Sequence, residues 1–133
     1  MTPRAITDRM LEKDAFSRWL GIEVDEVGFG ESRIHFTIRE EMCNGHGTAH
    51  GGIAHSASDS AFAFACNSHG TKAVAAETQT SYLRPLYPGD RIDLHCTELH
   101  RGRKLGRYKV DVMRDGTPVA LFRSTCYFLD ERW

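Results

Sequence analysis

The sequence has little that would place the protein in a membrane or on nucleic acid. It contains no apolar run near the roughly 18 residues that a membrane span needs. Its formal net charge is only −1, which argues against nucleic acid or an anionic membrane as the main partner. The first residues, MTPRAITDRMLEKDAF, mix acids and bases without an apolar stretch. We therefore expect no secretory leader and a cytoplasmic protein.

Cysteine is scarce and its spacing carries no motif. The four cysteines are scattered and form no CxxC pair: Cys43, Cys66, Cys96 and Cys126. Such spacing argues against a disulfide framework and predicts free thiols that fill small sites in the core. Cys43 lies near the most informative segment of the chain, but no histidine–acid pair at fixed spacing would activate it as a nucleophile.

The length and the helical periodicity define one domain with a helical start. A chain of 133 residues can form one hydrophobic core but not two, so 1–133 is predicted to be a single domain. Apolar residues at helical spacing predict a helix over 7–20, within an N-terminal helical segment 1–20. Thr7 or Asp8 would cap this helix, and Gly21 would close it.

The rest of the chain predicts a sheet packed on a second helix. Period-2 patterns and turn signals predict six strands, over 22–30, 33–39, 73–84, 90–101, 105–114 and 118–129. The second helix would run from Gly51 to about Ser68. Its alanines at positions 54, 57, 61 and 65 share one face, and few of its residues are charged, so it should be wrapped on most sides. The fold class is therefore α+β, with one long helix against a curved antiparallel sheet of about five or six strands.

The segment from Asn44 to Asp59, NGHGTAHGGIAHSASD, is the most informative part of the sequence. Its glycine-rich turn leads into a helix start, where free N–H groups and the helix dipole favour an oxygen that is or becomes negative. Asp59 lies roughly 12 Å further along the helix than Gly51. One chain therefore cannot easily place both groups on one carbonyl. Two antiparallel helices paired across a two-fold axis would bring Gly51 of one chain near Asp59 of the other.

Five segments carry a family resemblance. They read NGHGTAHGG, SASDSAFAFACNS, YLRPLYPGD, HRGRKLGRY and VALFRST. Together they resemble the hotdog-fold acyl-CoA thioesterases of the phenylacetate-degradation type, over about Leu20 to Tyr127. The resemblance implies a hotdog fold, a homotetramer built as a dimer of dimers, and hydrolysis of acyl-CoA. It implies no cofactor, because coenzyme A is part of the substrate.

The same resemblance assigns roles to residues. It implies that the Gly51 N–H polarises the thioester carbonyl and that Asp59 is the nucleophile or the general base. Asn44 and His50 match polar positions that flank the thioester, and Gly52 adjoins them in the substrate-binding turn. Some relatives orient water with a serine or threonine in the strand after the helix. Here that stretch reads Val-Ala-Ala, so Thr78 is the remaining candidate.

A basic cluster near the end of the chain has two interpretations. It comprises Arg101, Arg103, Lys104 and Arg107, spread around two glycines. A solvated hairpin explains it, as it explains most runs of charge. A clamp for the phosphates of coenzyme A explains it equally well, because Arg and Lys are the usual phosphate ligands.

The segment from Asn44 to Asp59 also allows a metal site and two other functions. His46, His50, His55 and Asp59 suggest a metal site, but their spacing matches no known ligand motif, so no metal is predicted. A non-catalytic acyl-CoA-binding protein of the same fold would need neither Asp59 nor the HGG segment. A hotdog dehydratase or hydratase would use His50 with Asp59, but the surrounding motif does not match.

The acyl group is predicted from the small and aromatic side chains of the second helix. Its candidate lining residues are Ala54, Ala57, Ala61, Phe62 and Phe64. A short pocket closed by rings favours a flat acyl group, which loses little conformational freedom on binding. The family resemblance likewise implies arylacetyl-CoA, such as phenylacetyl-CoA or hydroxyphenylacetyl-CoA. Medium-chain and other aryl thioesters stay open.

Overall fold

A computed structural model describes residues 1–133 and shows one long helix across a six-stranded sheet. The helices are α1 (Pro3–Lys13), α2 (Ala15–Leu20) and α3 (Gly51–Asn67), with a single 3-10 turn at Glu40–Met42. The strands are β1 (Glu23–Gly28), β2 (Glu31–Thr37), β3 (Thr71–Tyr82), β4 (Arg91–Arg101), β5 (Leu105–Arg114) and β6 (Thr117–Arg132). They form an antiparallel sheet in the order β1-β2-β4-β5-β6-β3. The predicted α+β class is confirmed.

The N-terminal helix differs from its prediction. It begins at Pro3 instead of near residue 7, because the Thr2 hydroxyl accepts a hydrogen bond from the Ala5 N–H at 3.1 Å and proline suits the first helical position. Thr7, a predicted cap, is fully buried inside α1. Asp14 then interrupts the helix with non-helical backbone angles and caps α2 through the Ser17 N–H at 2.9 Å.

The central helix is covered by its own chain on all but one side. Its four aligned alanines are at most 3% exposed, and they belong to a core cluster of 25 residues. The half-buried positions of α3 recur every three or four residues and form one stripe: Gly51, Gly52, His55, Ser56, Asp59 and Ala63. The predicted wrapping is therefore confirmed, with a stripe that this chain leaves partly uncovered.

Strand β3 is a free edge of the sheet and lies beside that stripe. It pairs only with β6, and the residues from Val74 to Glu77 are exposed. Ala63 of α3 and Ala73 of β3 line one cavity, and His55 is hydrogen-bonded to β3. We call this combination of the α3 stripe and the β3 edge the helix–edge surface. None of the three helices is long and apolar enough to cross a membrane.

Candidate functional site

The start of α3 presents a free backbone donor. The N–H of Gly51 has no acceptor within the chain, whereas its carbonyl oxygen accepts a hydrogen bond from the Tyr82 hydroxyl at 2.8 Å. Gly51 lines a cavity of about 350 Å³ whose other walls include Ala54, Leu86 and Val119. An unpaired N–H at the positive end of a 17-residue helix is suited to an oxygen that gains negative charge.

The loop before α3 is held by the polar residues that the sequence singled out. Asn44 Oδ1 accepts a hydrogen bond from the His46 N–H at 2.9 Å, which tightens the glycine turn. His50 caps α3, because its Nδ1 accepts the Gly52 N–H at 2.9 Å. His50 and Gly52 therefore shape the helix start next to Gly51, and the capping interaction leaves Nε2 of His50 as the ring nitrogen available to a ligand.

Asp59 lies in a different, mostly apolar cavity. This cavity, of about 400 Å³, is also lined by Met10, Phe62, Val74 and Trp133. The Asp59 carboxylate makes no hydrogen bond or ion pair within the chain, so both oxygens are available to a ligand or a water molecule. Burial here raises the pKa of Asp59; the charge of protonated His55 opposes the rise, and that of Asp14 adds to it. An unpaired carboxylate in an apolar cavity is a typical general base or nucleophile.

Within one chain the structure does not bring Gly51 and Asp59 together. They line separate cavities, and the eight residues between them correspond to roughly 12 Å of helix. Both belong to the helix–edge surface, however, so a second copy that covers this surface would approach both.

His55 lies one turn before Asp59 on α3, and the sequence suggested it only as a metal ligand. Its Nδ1 lies 2.5 Å from Thr80 Oγ1 and its Nε2 lies 3.3 Å from Thr78 Oγ1. Its ring also packs against Phe122, with centroids 5.5 Å apart. Its spacing of four residues from Asp59 indicates that the two side chains are neighbours, because residues four apart share a helix face. Thr78, the predicted water-positioning candidate, thus contacts His55.

The structure does not gather the histidines considered for a metal site. His50 caps α3, and His55 is bound to β3 by two threonines. The side chains with metal-ligand spacing lie instead at Asp25, His35 and Asp93, where His35 already contacts carboxylates.

The basic cluster lies at the turn between β4 and β5 and on the adjoining strand ends. Arg101, Arg103 and Lys104 have no carboxylate within 4 Å, and Arg101 and Arg103 line a shallow cavity of about 300 Å³. The Arg101 guanidinium and the Lys104 ammonium each lie 5.9 Å from an aromatic ring centre, those of Phe128 and Tyr127. The cluster is therefore a free cationic surface and is not part of an ion-pair network.

The predicted lining of the acyl pocket is wrong for three of its five residues. Ala57, Ala61 and Phe64 are fully buried in the core, because that face of α3 packs on the sheet. Ala54 lines the Gly51 cavity and Phe62 lines the Asp59 cavity. The helix therefore contributes to two cavities and not to one short pocket.

Comparison with known proteins gives the family. Residues 46–121 match the family model described as Thioesterase superfamily. The chain belongs to the thioesterase superfamily. The family resemblance and the hotdog fold inferred from the sequence are thereby confirmed.

The similar proteins include both curated sequences and solved structures. Acyl-coenzyme A thioesterase PaaI of Escherichia coli (strain K12) is 37% identical over 115 residues, which cover 86% of this chain and 82% of that protein. The structure of the E. coli PaaI protein from the phenylacetic acid degradation operon matches with a TM-score of 0.95 at 33% identity, over 98% of this chain and 95% of that one. A mutant of the phenylacetic acid degradation protein PaaI from Thermus thermophilus matches with a TM-score of 0.85 at 38% identity, over 87% and 100%.

Proposed function

We propose that the protein hydrolyses acyl-CoA thioesters to a free acid and coenzyme A. The observation that carries this proposal is the pair of unpaired groups on α3 of a thioesterase-superfamily chain. One is the Gly51 N–H and the other is the Asp59 carboxylate. The similarity to acyl-coenzyme A thioesterase PaaI supports the choice of coenzyme A thioesters over other thioesters.

These two groups are sufficient for the chemistry of a thioester. The Gly51 N–H stabilises the negative charge that develops on the carbonyl oxygen. Asp59 either attacks the carbonyl carbon itself or removes a proton from a water molecule that attacks it. The carbon–sulfur bond then breaks and coenzyme A leaves as a thiolate, which needs little help from an acid. Where Asp59 is the nucleophile, this step leaves a mixed anhydride on Asp59, which water hydrolyses to the free acid and the regenerated carboxylate. Both roles of Asp59 require the ionised carboxylate.

The active site would be shared between two chains. Covering the helix–edge surface with a second copy would add a strand to the β3 edge and bury the α3 stripe. If Asp59 faces Gly51 of the partner subunit, the two-fold axis passes at residue 55, midway between them. His55 would then lie at the axis, where it is already fixed by Thr78 and Thr80. The family resemblance extends this proposal to a homotetramer of two such dimers.

The proposal is tested by thiol release from a panel of acyl-CoA substrates. We expect kcat/KM to be higher for phenylacetyl-CoA and hydroxyphenylacetyl-CoA than for palmitoyl-CoA, measured with a thiol reagent. The rings of Tyr82 and Phe62 in the two cavities favour a flat acyl group. A preference for palmitoyl-CoA would contradict the predicted arylacetyl substrate but not the predicted hydrolase activity. Binding without thiol release would indicate a carrier, and hydration of an enoyl-CoA would indicate a hydratase.

Removing the basic cluster should weaken substrate binding. We expect Arg101→Ala/Arg103→Ala/Lys104→Ala to raise KM for acyl-CoA by about tenfold with little change in kcat, because a remote charge contact acts equally on the ground and transition states. Steady-state kinetics at low and high salt measure the effect, which should shrink as salt screens the charges. An unchanged KM would support the solvated hairpin instead.

His55 should adjust the pH dependence of the reaction. The charge of protonated His55 lowers the pKa of Asp59, so His55→Gln removes that influence and the pKa rises. The acidic limb of the kcat/KM profile should therefore move to higher pH. His95→Gln is the control, because His95 pairs with Glu31 away from Asp59. A purely structural role for His55 predicts lower activity with an unmoved acidic limb.

A further inference from the structure

The cavity that contains Asp59 adjoins a smaller pocket lined mainly by cations. The smaller pocket, of about 150 Å³, is lined by Arg9, Lys13, Lys72, Arg132 and Trp133. Lys72 and Trp133 also line the Asp59 cavity, so the two spaces meet at these side chains. We call the smaller space the cationic pocket.

Three elements converge to build the cationic pocket. Arg9 and Lys13 lie one turn apart on α1, Lys72 lies at the start of β3, and Arg132 lies at the end of β6. Trp133 is anchored between them, because its Nε1 donates to the Asn67 side chain at 2.9 Å and its backbone N–H donates to the Gly70 carbonyl at 3.0 Å. The wall of the pocket next to Asp59 is therefore held in place by hydrogen bonds to the end of α3.

Acidic side chains do not balance the charges of the side chains in the cationic pocket. Lys72 is the one cation with an acid in range, Glu131 at 3.7 Å, and the Glu131 side chain is 64% exposed. Arg9 and Lys13 have no carboxylate within 4 Å, and Arg132 donates to the neutral hydroxyl of Thr71 at 3.1 Å. Like charges held close together repel one another, and an anion placed between them relieves the repulsion.

We propose that the cationic pocket binds an anionic group of the ligand whose thioester lies at Asp59. This inference rests on the proposed function, since it assumes that the thioester reaches Asp59. Asn67, which is hydrogen-bonded to Trp133 of the cationic pocket, lies eight helical residues after Asp59. This corresponds to a distance of roughly 12 Å. The anion must therefore be joined to the thioester by an extended chain that crosses the apolar cavity.

Two parts of an acyl-CoA fit that description. One is a phosphate of coenzyme A, joined to the thioester by the pantetheine arm, and the other is a carboxylate at the far end of a long acyl group. Several cations around one small pocket suit a phosphate better than a carboxylate, because a phosphate carries more charge and more acceptor oxygens. We therefore expect a phosphate of coenzyme A to be the bound group. Either anion would be held by the same cationic side chains.

The test removes the two cations that α1 contributes. Arg9 and Lys13 are exposed at the surface of the helix, so Arg9→Ala/Lys13→Ala should fold normally. Arg33→Ala/Lys109→Ala is the matched control. It also removes two positive charges, but from strand residues that line neither the Asp59 cavity nor the cationic pocket. Each variant is assayed with phenylacetyl-CoA, with the phenylacetyl thioester of N-acetylcysteamine, which has no phosphate, and with adipyl-CoA, which has a terminal carboxylate.

The expected result is a KM for both coenzyme A thioesters that is raised about fivefold or more by Arg9→Ala/Lys13→Ala, with an unchanged KM for the N-acetylcysteamine thioester. A rise confined to adipyl-CoA would support the anion site and identify the acyl carboxylate as its ligand. The inference is overturned if all three KM values stay within twofold of those of the control variant.

Binding measurements keep the inference separate from the proposed function. Calorimetric titration with coenzyme A and with adipyl-CoA measures Kd without turnover. If the unmodified protein hydrolyses no substrate, the proposed function fails, yet a weaker Kd in Arg9→Ala/Lys13→Ala would still support the anion site. If hydrolysis is normal and neither KM nor Kd responds, the anion site alone is wrong.

Discussion

Asp59→Asn should lower kcat by about a thousandfold or more while the protein keeps its fold and assembly. Asparagine has nearly the same shape as aspartate but is neither a base nor a nucleophile at neutral pH. The carboxylate makes no contact within the chain that the amide would break, so little else should change. Thiol release from phenylacetyl-CoA at saturating substrate measures kcat.

The matched control for this change is Asp115→Asn. Asp115 lies in the turn between β5 and β6 with φ at 50°, a conformation that asparagine adopts well. It makes no ion pair, so its kcat should equal that of the unmodified protein. Circular dichroism and size measurements would show that both variants are folded and assembled. Near-normal turnover in folded Asp59→Asn would mean that another group performs the chemistry.

Gly51→Pro should lower kcat by about a hundredfold or more, because it deletes the one N–H that the proposed mechanism uses. Proline is well tolerated at the first position of a helix. The preceding residue, His50, has φ of −57° and ψ of 138°, which is compatible with a following proline. The change therefore removes a hydrogen-bond donor with little disturbance of α3.

Gly51→Ala separates the lost donor from the added bulk. A Cβ at position 51 would lie 3.1 Å from the Tyr82 hydroxyl in either variant, and the Tyr82 side chain is exposed enough to shift. Alanine keeps the N–H, so its kcat should fall far less than that of Gly51→Pro. Equal losses in the two variants would assign the effect to crowding and remove the donor role of Gly51.

The same two damaging variants test whether the site is shared. If the site is shared, a mixed dimer of Gly51→Pro and Asp59→Asn chains would have one intact site, built from Asp59 of the first and Gly51 of the second. With random exchange at equal amounts, half the dimers are mixed, so activity should recover to about a quarter of the unmodified level. No recovery, with exchange verified by mass spectrometry, would place the site within one chain.

The central helix and the strands could be predicted from local pattern alone. Gly51 was the predicted start of α3, and the structure ends this helix at Asn67, one residue before the predicted end. Strand β5 has its predicted bounds, and the other five strands differ from theirs by at most three residues at either end, since their alternation matches the pleat. The start of α1 differs from its prediction because Thr2 and Pro3 supply a cap and a first helical residue before the apolar periodicity begins.

The surroundings of the site could not be predicted in the same way. The contacts of His55 depend on two threonines from β3, more than 20 residues further along the chain. The cationic pocket combines α1 with the last strand, and no local pattern joins Arg9 to Arg132. Such arrangements follow from the order of the strands in the sheet. The sequence predicted the α+β fold class but not that order. The roles of Asn44, Gly51 and Asp59 stay predictions.

The open edge of β3 has a consequence for the life of the newly made chain. Without a partner on this edge, the chain exposes unpaired strand backbone beside a partly apolar helix stripe, and such edges promote aggregation. The edge is interrupted by a bulge between Ala75 and Glu77, and the Glu77 side chain is charged and exposed. Both features discourage pairing with unrelated strands. If a second copy covers this edge, the free energy of unfolding should rise with protein concentration, and dilute preparations should unfold at a lower temperature.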